Sequence, residues 1–281
     1  MALTINTNIA SLNAQRNLSS SQGSLETSLR RLSSGLRVNS AKDDAAGLFS
    51  IQKMTADIRG LNQAVRNAQD GISLAQTGEG AMDQVQTAIQ RIREIAVQSS
   101  NATVEDRTGL QAEVDQLTQE ISRIVQTTEF NGQKLLDGTT SSLTFQIGQD
   151  GVSSNQISVS GLDLTALTAY DSDLTATGTV DVSTAAAASG AIAGLDSATT
   201  GNDFVSSSRA TFGAVQNRFE AVISNLTTYS ENLSAARSRI QDTDFAMETA
   251  NLTRAQILQQ AGVAMLSQAN ALPQTALSLL Q

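Results

Sequence analysis

Few side chains of this chain could carry out covalent chemistry. Its 281 residues include no histidine and no cysteine, which removes imidazole bases, thiolate nucleophiles, disulfides and most zinc, haem and iron–sulfur ligand sets. The neighbouring carboxylates of Asp43 and Asp44 could form an acid–base pair, but no other base lies near them in the sequence. Ser40 and Asp43 have instead the spacing of a helix capping box, so we expect a helix start at this point.

Gly78 and Gly80 are the second candidate for chemistry, because glycine-rich loops can bind phosphate. No Lys-Ser or Lys-Thr pair follows them, and they interrupt a run of apolar residues with helical spacing. We expect a kink or a close helix contact at these glycines. The sequence therefore predicts a protein that is not an enzyme and that has no cofactor or metal site.

Composition and charge narrow the class of protein further. Hydrophobic residues make up 40% of the chain but aromatic residues only 3%, which favours thin helical layers over a thick globular core. The net charge of −9 argues against nucleic acid as a partner. The first residues lack the pattern of a secretory signal peptide, and no apolar stretch is long enough to span a bilayer, so we expect no membrane insertion.

Three long segments have apolar residues at alternating spacings of three and four, which is a heptad pattern. At a rise of 1.5 Å per residue, the first segment predicts a helix of roughly 70 Å, a rod that needs helical partners. The seam residues are Ile51, Met54, Ile58, Leu61, Val65, Ala68, Ile72, Ala75, Met82, Val85, Ile89, Ile92 and Ala96 in the first, Leu110, Val114, Leu117, Ile121 and Ile124 in the second, and Phe212, Val215, Phe219, Val222, Leu226, Tyr229, Leu233, Ala236 and Ile240 in the third.

Both ends of the chain are helical in pattern and nearly free of charge. Arg16 is the only charged side chain before Glu26, and none follows Arg254. A pair of such helices would leave apolar surface exposed without like-charge repulsion between copies, which predicts self-association into a helical homopolymer. The residues predicted to carry self-assembly are Leu3, Ile5, Ile9, Leu12, Leu18, Leu25, Leu29, Leu32, Ile257, Leu258, Ala261, Met265, Leu272 and Leu280.

The middle of the chain has a different pattern. Alternating residues in 143–148 and 156–160 flank Asp150 and Gly151 and predict a β-hairpin. Residues 171–203 are rich in Ser, Thr, Ala and Gly and predict an exposed loop or small surface extension. The predicted fold is therefore mainly α: a long antiparallel coiled-coil or bundle rod formed by both chain ends, with a β-hairpin and a short irregular surface segment in the middle.

Several longer motifs resemble the bacterial flagellin family. The resemblance covers roughly residues 1–160 and 205–281, at both ends and in the same order. The motifs that carry it are NTNIASLNAQRNL (6–18), LRRLSSGLRVNSAKDDAAGL (29–48), NAQDGISLAQTGEGAM (67–82), RIREIAVQSSN (91–101), FNGQKLLDG (130–138), ENLSAARSRIQDTDFAMETANLTR (231–254) and QANALPQTALSLLQ (268–281).

The resemblance implies a discontinuous two-part scaffold and a place outside the cell. Residues 1–45 with 241–281 would form an inner terminal coiled-coil domain, residues 46–175 with 195–240 an outer helical domain with the hairpin, and 176–194 a short variable exposed segment. The implied function is that of a structural subunit of the extracellular flagellar filament, used for swimming motility. The subunit would be exported unfolded, without a cleaved signal peptide, and its ends would become helical only on polymerisation.

The resemblance also implies partners. These are the flagellar type III export apparatus with its chaperone, the filament cap and the hook-junction proteins. A host Toll-like receptor of innate immunity is a further implied partner, and the positions that match its contact motif are Arg91, Glu94, Ile95 and Glu113.

Two other functions fit parts of the pattern. A hook-filament junction protein belongs to the same axial family and shares flagellin-like ends. An amphipathic lipid-surface protein would also present helices with one apolar face, but the terminal helices here lack a polar face rich in Lys and Arg.

Overall fold

A computed structural model describes residues 8–175, 179–197 and 199–278 of the chain. Helices dominate these residues, with four short strands between the third and fourth helix, so the prediction of a mainly α fold with a β-hairpin is confirmed. The elements are α1 (Ile9–Ser34), α2 (Ala45–Ser99), α3 (Thr108–Thr127), β1 (Glu129–Phe130), β2 (Gln133–Lys134), β3 (Leu143–Gln146), β4 (Gln156–Val159), α4 (Ala185–Leu195), α5 (Asn202–Gln241) and α6 (Phe245–Ser278).

The carboxylates of Asp43 and Asp44 form hydrogen bonds just before and at the start of α2. Asp43 accepts hydrogen bonds from the Ser40 hydroxyl at 2.8 Å and the Ser40 backbone N–H at 3.0 Å. Only the carboxylate half of the expected capping box is therefore formed, and α2 begins later, at Ala45. The hydroxyl bond is the largest of the effects that lower the pKa of Asp43, with smaller contributions from backbone N–H groups and the charge of Arg30. Asp44 accepts from the Gly47 N–H at 2.8 Å and so satisfies a free donor of the first turn.

The chain folds into two compact units, Met1–Ile58 with Glu231–Gln281, and Arg59–Ser230. Helices α2 and α5 contribute residues to both units. In the unit of residues 59–230, the seams of α2, α3 and α5 form one hydrophobic core with the hairpin strands and α4. The heptad pattern marks this core along α2 and α3 and along α5 as far as Val222, because side chains three and four residues apart lie on one face of a helix. Beyond that point Leu226 is only partly buried and Tyr229 is 43% exposed, so the third seam does not continue as core.

Two phenylalanine rings of α5 pack directly against glycine residues of α2. A Cβ placed on Gly71 would lie 2.6 Å from Cζ of Phe219, and one on Gly78 would lie 3.0 Å from Cε1 of Phe212. Both glycines and both rings are seven residues apart, as antiparallel heptads require. The expected close helix contact at Gly78 is thus confirmed, whereas Gly80 meets nothing within 4 Å.

The predicted β-hairpin is formed by β3 and β4, which pair antiparallel with Leu143 opposite Val159. Ile157 and Val159 point into the core, as the alternating pattern requires. The ring of Phe145 meets that of Phe219 edge to face, with centroids 5.6 Å apart. The hairpin is therefore packed against the same aromatic contact that joins α2 to α5.

The segment from 179 to 197 differs from the expected exposed loop. Val180 and Val182 are buried, and α4 buries Ala188 and Leu195 in the same core. The Gln111 side chain donates to the Val180 carbonyl at 3.0 Å and accepts from the Val182 N–H at 2.8 Å. The small side chains of this segment gave only a weak sequence signal for burial. The segment is held in place by hydrogen bonds from Gln111 of α3.

Arg93 of α2 forms an ion pair with Asp196, the residue that follows α4. Its guanidinium donates two hydrogen bonds to the Asp196 carboxylate, at 2.6 and 3.0 Å. These bonds, together with the positive charge of Arg93, lower the pKa of Asp196. The acidic middle of the chain is thus partly neutralised by a basic residue from a helix about 100 positions earlier in the sequence.

Candidate assembly surface

Helices α1 and α6 pair antiparallel within the unit that contains both chain ends. Near one end of the pair, the Ser28 hydroxyl donates to Oε1 of Glu248 at 2.5 Å, and Arg31 Nη1 lies 3.6 Å from Oε2 of the same carboxylate. Glu248 is buried, so these two partners compensate the charge where water is largely excluded. They also favour one register of the two helices.

A second polar contact fixes the other end of the pair. Asn8 caps α1 by accepting from the Ser11 N–H at 3.1 Å, and its Nδ2 donates to the Ala269 carbonyl at 2.7 Å. That carbonyl would normally accept from the residue four positions later, which is Pro273 and has no N–H. Helix α6 continues through Pro273 to Ser278, and Asn8 satisfies an acceptor that the proline leaves free.

The most fully buried residues at the contact between α1 and α6 are small or polar: Ser11 and Ser28 of α1, and Glu248, Ala255 and Ala269 of α6. Leu18, Leu25 and Leu32 of α1 are partly buried, and Leu18 lies against Gly262. Because these large side chains keep part of their surface in solvent, the pair gains only part of its possible hydrophobic stabilisation from its own contact.

Several large apolar side chains of the pair are exposed to solvent. Ile9 is 65% exposed, Ile257 60% and Met265 63%. Of the residues predicted for self-assembly, Leu12, Leu29, Leu258 and Ala261 are likewise exposed, and Leu18, Leu25 and Leu32 are partly buried. Leu3, Ile5 and Leu280 lie outside the described residues, and the side chain of Leu272 is not among those described.

Four exposed apolar residues of the same unit are missing from the predicted set. Phe49 of α2 is 71% exposed, and Phe245, Met247 and Val263 of α6 are also more than half exposed. Phe49 is flanked by apolar residues of a predicted core helix, so its sequence gave no sign of exposure. The absence of charge after Arg254 could have indicated Val263.

A groove with a volume of about 660 Å³ runs between α1 and α6 beside these side chains. Small residues such as Ala10, Ala14 and Gly262 form part of its wall, and Leu258 and Met265 form another part. The described part of α1 contributes only one charged residue before Glu26, so the surface around the groove is apolar and uncharged over most of its length. We define the exposed apolar residues of α1 and α6 as the assembly surface.

The four positions that match the receptor motif are not equivalent in the structure. Arg91 donates to Glu113 at 2.9 Å and to Glu94 at 3.1 Å, and all three side chains are exposed. The bonds to Glu113 and then Glu94 raise the pKa of Arg91. Ile95 is only 1% exposed and belongs to the core, so the expectation that it contacts a partner is not supported by its position.

Among the helices of the residues that the structure describes, none has the length and apolar character needed to cross a lipid bilayer. No three or more acidic side chains in these residues are grouped so that they could hold a metal ion.

The paired, nearly uncharged terminal helices and the helical core define a structural protein with an outward apolar surface. The family model for the bacterial flagellin N-terminal helical region matches residues 5–141, and that for the bacterial flagellin C-terminal helical region matches residues 192–280. The chain belongs to the bacterial flagellin family, whose members are structural subunits of the flagellar filament.

Individual relatives agree with this assignment in sequence. The flagellin of Halalkalibacterium halodurans is 46% identical over 279 residues, and 99% of each chain is covered. The flagellin of Bacillus subtilis is 43% identical, again with 99% of each chain covered. A crystal structure of Bacillus cereus flagellin matches with a TM-score of 0.49 and 30% identity over 61% of this chain and 94% of that one.

Proposed function

We propose that this chain polymerises into the extracellular flagellar filament through the assembly surface on α1 and α6. The observation that carries the proposal is the set of large apolar side chains that the terminal pair leaves exposed, among them Ile9, Ile257 and Met265, while the residues it buries fully are Ser, Ala and Glu. Exposed apolar surface of this kind is typical of protein interfaces. A second copy of the chain supplies a matching uncharged surface.

The energetics favour a polymer. Burying a large aliphatic side chain contributes about 1.5 to 3 kcal/mol, so covering the half-exposed aliphatic residues of the surface would contribute on the order of 10 kcal/mol per subunit. Part of this offsets the entropy lost on association. Contacts between different faces of identical copies generate a helical fibre when the rotation from one copy to the next does not close into a ring.

The proposed domain division follows the expected one. Residues 1–45 and 241–281 form the inner, assembling domain, and residues 46–175 and 195–240 the outer helical domain, whose core also contains Val180, Val182 and Ala188 of the 176–194 segment. Because α1 and α6 leave part of their apolar side-chain area exposed, we expect their order to increase when a neighbouring copy covers them. Assembly and ordering of the chain ends are then a single coupled process.

The route to the filament is part of the same proposal. The subunit has no catalytic role, leaves the cell through the flagellar type III export apparatus with a chaperone and without a cleaved signal peptide, and is incorporated between hook-junction proteins and the cap. Support comes from membership of the family and from terminal helices that depend on an external partner.

Electron microscopy of the purified chain after addition of filament seeds tests the proposed function. We expect the seeds to elongate into fibres in which this chain is the main protein. A chain that remains monomeric with seeds present, and with amides of α1 and α6 already protected from hydrogen exchange, would contradict the proposal. Minor incorporation at the seed end alone would indicate the junction protein instead.

The exposed cluster of Arg91, Glu94 and Glu113 is the proposed contact for a host Toll-like receptor. Replacing Arg91 and Glu113 by alanine is expected to reduce signalling in receptor reporter cells about tenfold or more, since buried interface arginines are common hot spots. The control is Arg123→Ala with Glu120→Ala, which removes a similarly exposed ion pair from α3. Undiminished signalling by the first variant would reject this contact.

A further inference from the structure

The turn between β1 and β2 holds the only Asn-Gly pair of the sequence, Asn131 and Gly132. Phe130 pairs with Gln133, so these two residues form the whole loop. Both have positive φ, 49° for Asn131 and 77° for Gly132, as the favoured two-residue hairpin turn requires. Both are exposed, and the hairpin has only two residues in each strand.

The surroundings of this turn leave its atoms open to reaction. A Cβ on Gly132 would meet nothing within 4 Å, so no neighbouring group crowds the Cα of this residue. Within the described part of the chain, no side-chain hydrogen bond holds the Asn131 amide. The amide and the backbone nitrogen that follows it are therefore free to meet whenever the turn opens.

We propose that Asn131 is a site of spontaneous deamidation. The backbone nitrogen of Gly132 attacks Cγ of Asn131, the bond from Cγ to Nδ2 breaks, and ammonia leaves with the proton lost by the nitrogen. The resulting five-membered imide is opened by one water molecule, which leaves either an aspartate at position 131 or an isoaspartyl linkage. Water is the only co-reactant, and no oxidant or enzyme is required.

The hairpin controls the rate, because closing the five-membered ring requires Asn131 to leave its turn conformation. The ladder of β1 and β2 has two residues in each strand, and only Phe130 and Lys134 among them are partly buried, so it opens more often than the core of the unit. The Lys134 ammonium donates to the Gln126 carbonyl at 2.6 Å and lies 3.5 Å from the Glu129 carboxylate, but neither contact reaches the turn residues. The turn therefore slows the reaction and does not prevent it.

The two products have different consequences for the fold. Asp-Gly suits the same turn as Asn-Gly, so conversion to aspartate keeps the hairpin and adds one negative charge. An isoaspartyl linkage adds a main-chain carbon shortly before the buried Leu135 and Leu136 and shifts their register. Deamidation to aspartate thus marks the age of a copy without unfolding it. This inference does not depend on polymerisation.

Peptide mapping by mass spectrometry of the purified full-length chain, aged in mildly alkaline buffer, tests the proposal. We expect aspartyl and isoaspartyl products at Asn131 to accumulate several-fold faster than at Asn101, which is also exposed and in a loop but precedes Ala102. Denaturant should increase the Asn131 rate further. Conversion no faster than at Asn101 in the folded chain would overturn the site, and an Asn131 rate unchanged by denaturant would overturn the role of the hairpin.

A single variant tests the claim that the turn accepts the product. Asn131→Asp should retain the thermal unfolding midpoint and far-ultraviolet circular dichroism of the parent chain. A clear loss of midpoint would show that the turn rejects aspartate and would overturn the proposed harmless conversion.

Discussion

Polymerisation is expected to stop when Leu12 and Met265 are both replaced by aspartate. Each replacement removes about 1.5 to 3 kcal/mol of apolar burial per contact, and each places a carboxylate where the proposed interface has no counter-charge. At about 1.4 kcal/mol per tenfold, the concentration needed for seeded growth should rise at least about 100-fold. Light scattering and electron microscopy of seeded samples measure this concentration.

The matched control for this experiment is Val152→Asp. Val152 is 53% exposed, close to the 49% of Leu12, but it lies near the β3–β4 hairpin, in the unit of residues 59–230. This variant should polymerise like the parent chain. Deleting the first or last ~40 residues should also leave a soluble chain whose residues 59–230 stay folded, because the core of that unit contains neither end. Normal growth of the Leu12→Asp, Met265→Asp variant would show that the assembly surface is wrongly placed.

The second large effect is expected at the contact between Phe219 and Gly71. Phe219→Ala should lower the free energy of unfolding of the unit of residues 59–230 by about 3 to 5 kcal/mol, because Phe219 is fully buried and also supports Phe145. Gly71→Ala should lower it by about 1 to 3 kcal/mol, since the new Cβ would lie 2.6 Å from the ring. Urea unfolding followed by circular dichroism measures both values.

Gly80→Ala provides the control for the glycine substitution. Gly80 lies in the same helix but has open space around its Cα, so alanine should raise stability by up to about 1 kcal/mol through helix propensity. Phe219→Leu combined with Gly71→Ala should cost less than the sum of the two single changes, because a smaller side chain leaves room for the new methyl group. Equal stability of the Gly71→Ala and Gly80→Ala variants would show that the ring does not need the glycine.

The heptad seams show which part of the fold was predictable. A seam such as Ile89, Ile92 and Ala96 encodes both the helix and its buried face, because local spacing alone places these residues together. The buried segment from Val180 to Leu195 was not predictable in this way. Its alanines and valines show no heptad spacing that would indicate a buried face, and its position depends on Gln111, about 70 residues earlier.

The assembly surface, too, could be predicted from the sequence only in part. The sequence located it at both ends, because the lack of charge there is visible without coordinates. It did not identify Phe49, Phe245 and Met247, whose exposure depends on which face each helix turns to its partner. The receptor contact motif also included Ile95, although this residue is buried in the core.

By itself, the sequence determined that the chain is helical, that its ends are neutral and apolar, and that it has no histidine or cysteine for catalysis. These properties depend on residue type and spacing along the chain, which are local. Only the tertiary structure decided that Gly71 receives a ring, that Asn8 satisfies the carbonyl freed by Pro273, and that the terminal pair buries Ser28 while Leu29 stays exposed. Each of these joins residues more than 100 positions apart, and a contact at that distance exists only after the helices have packed.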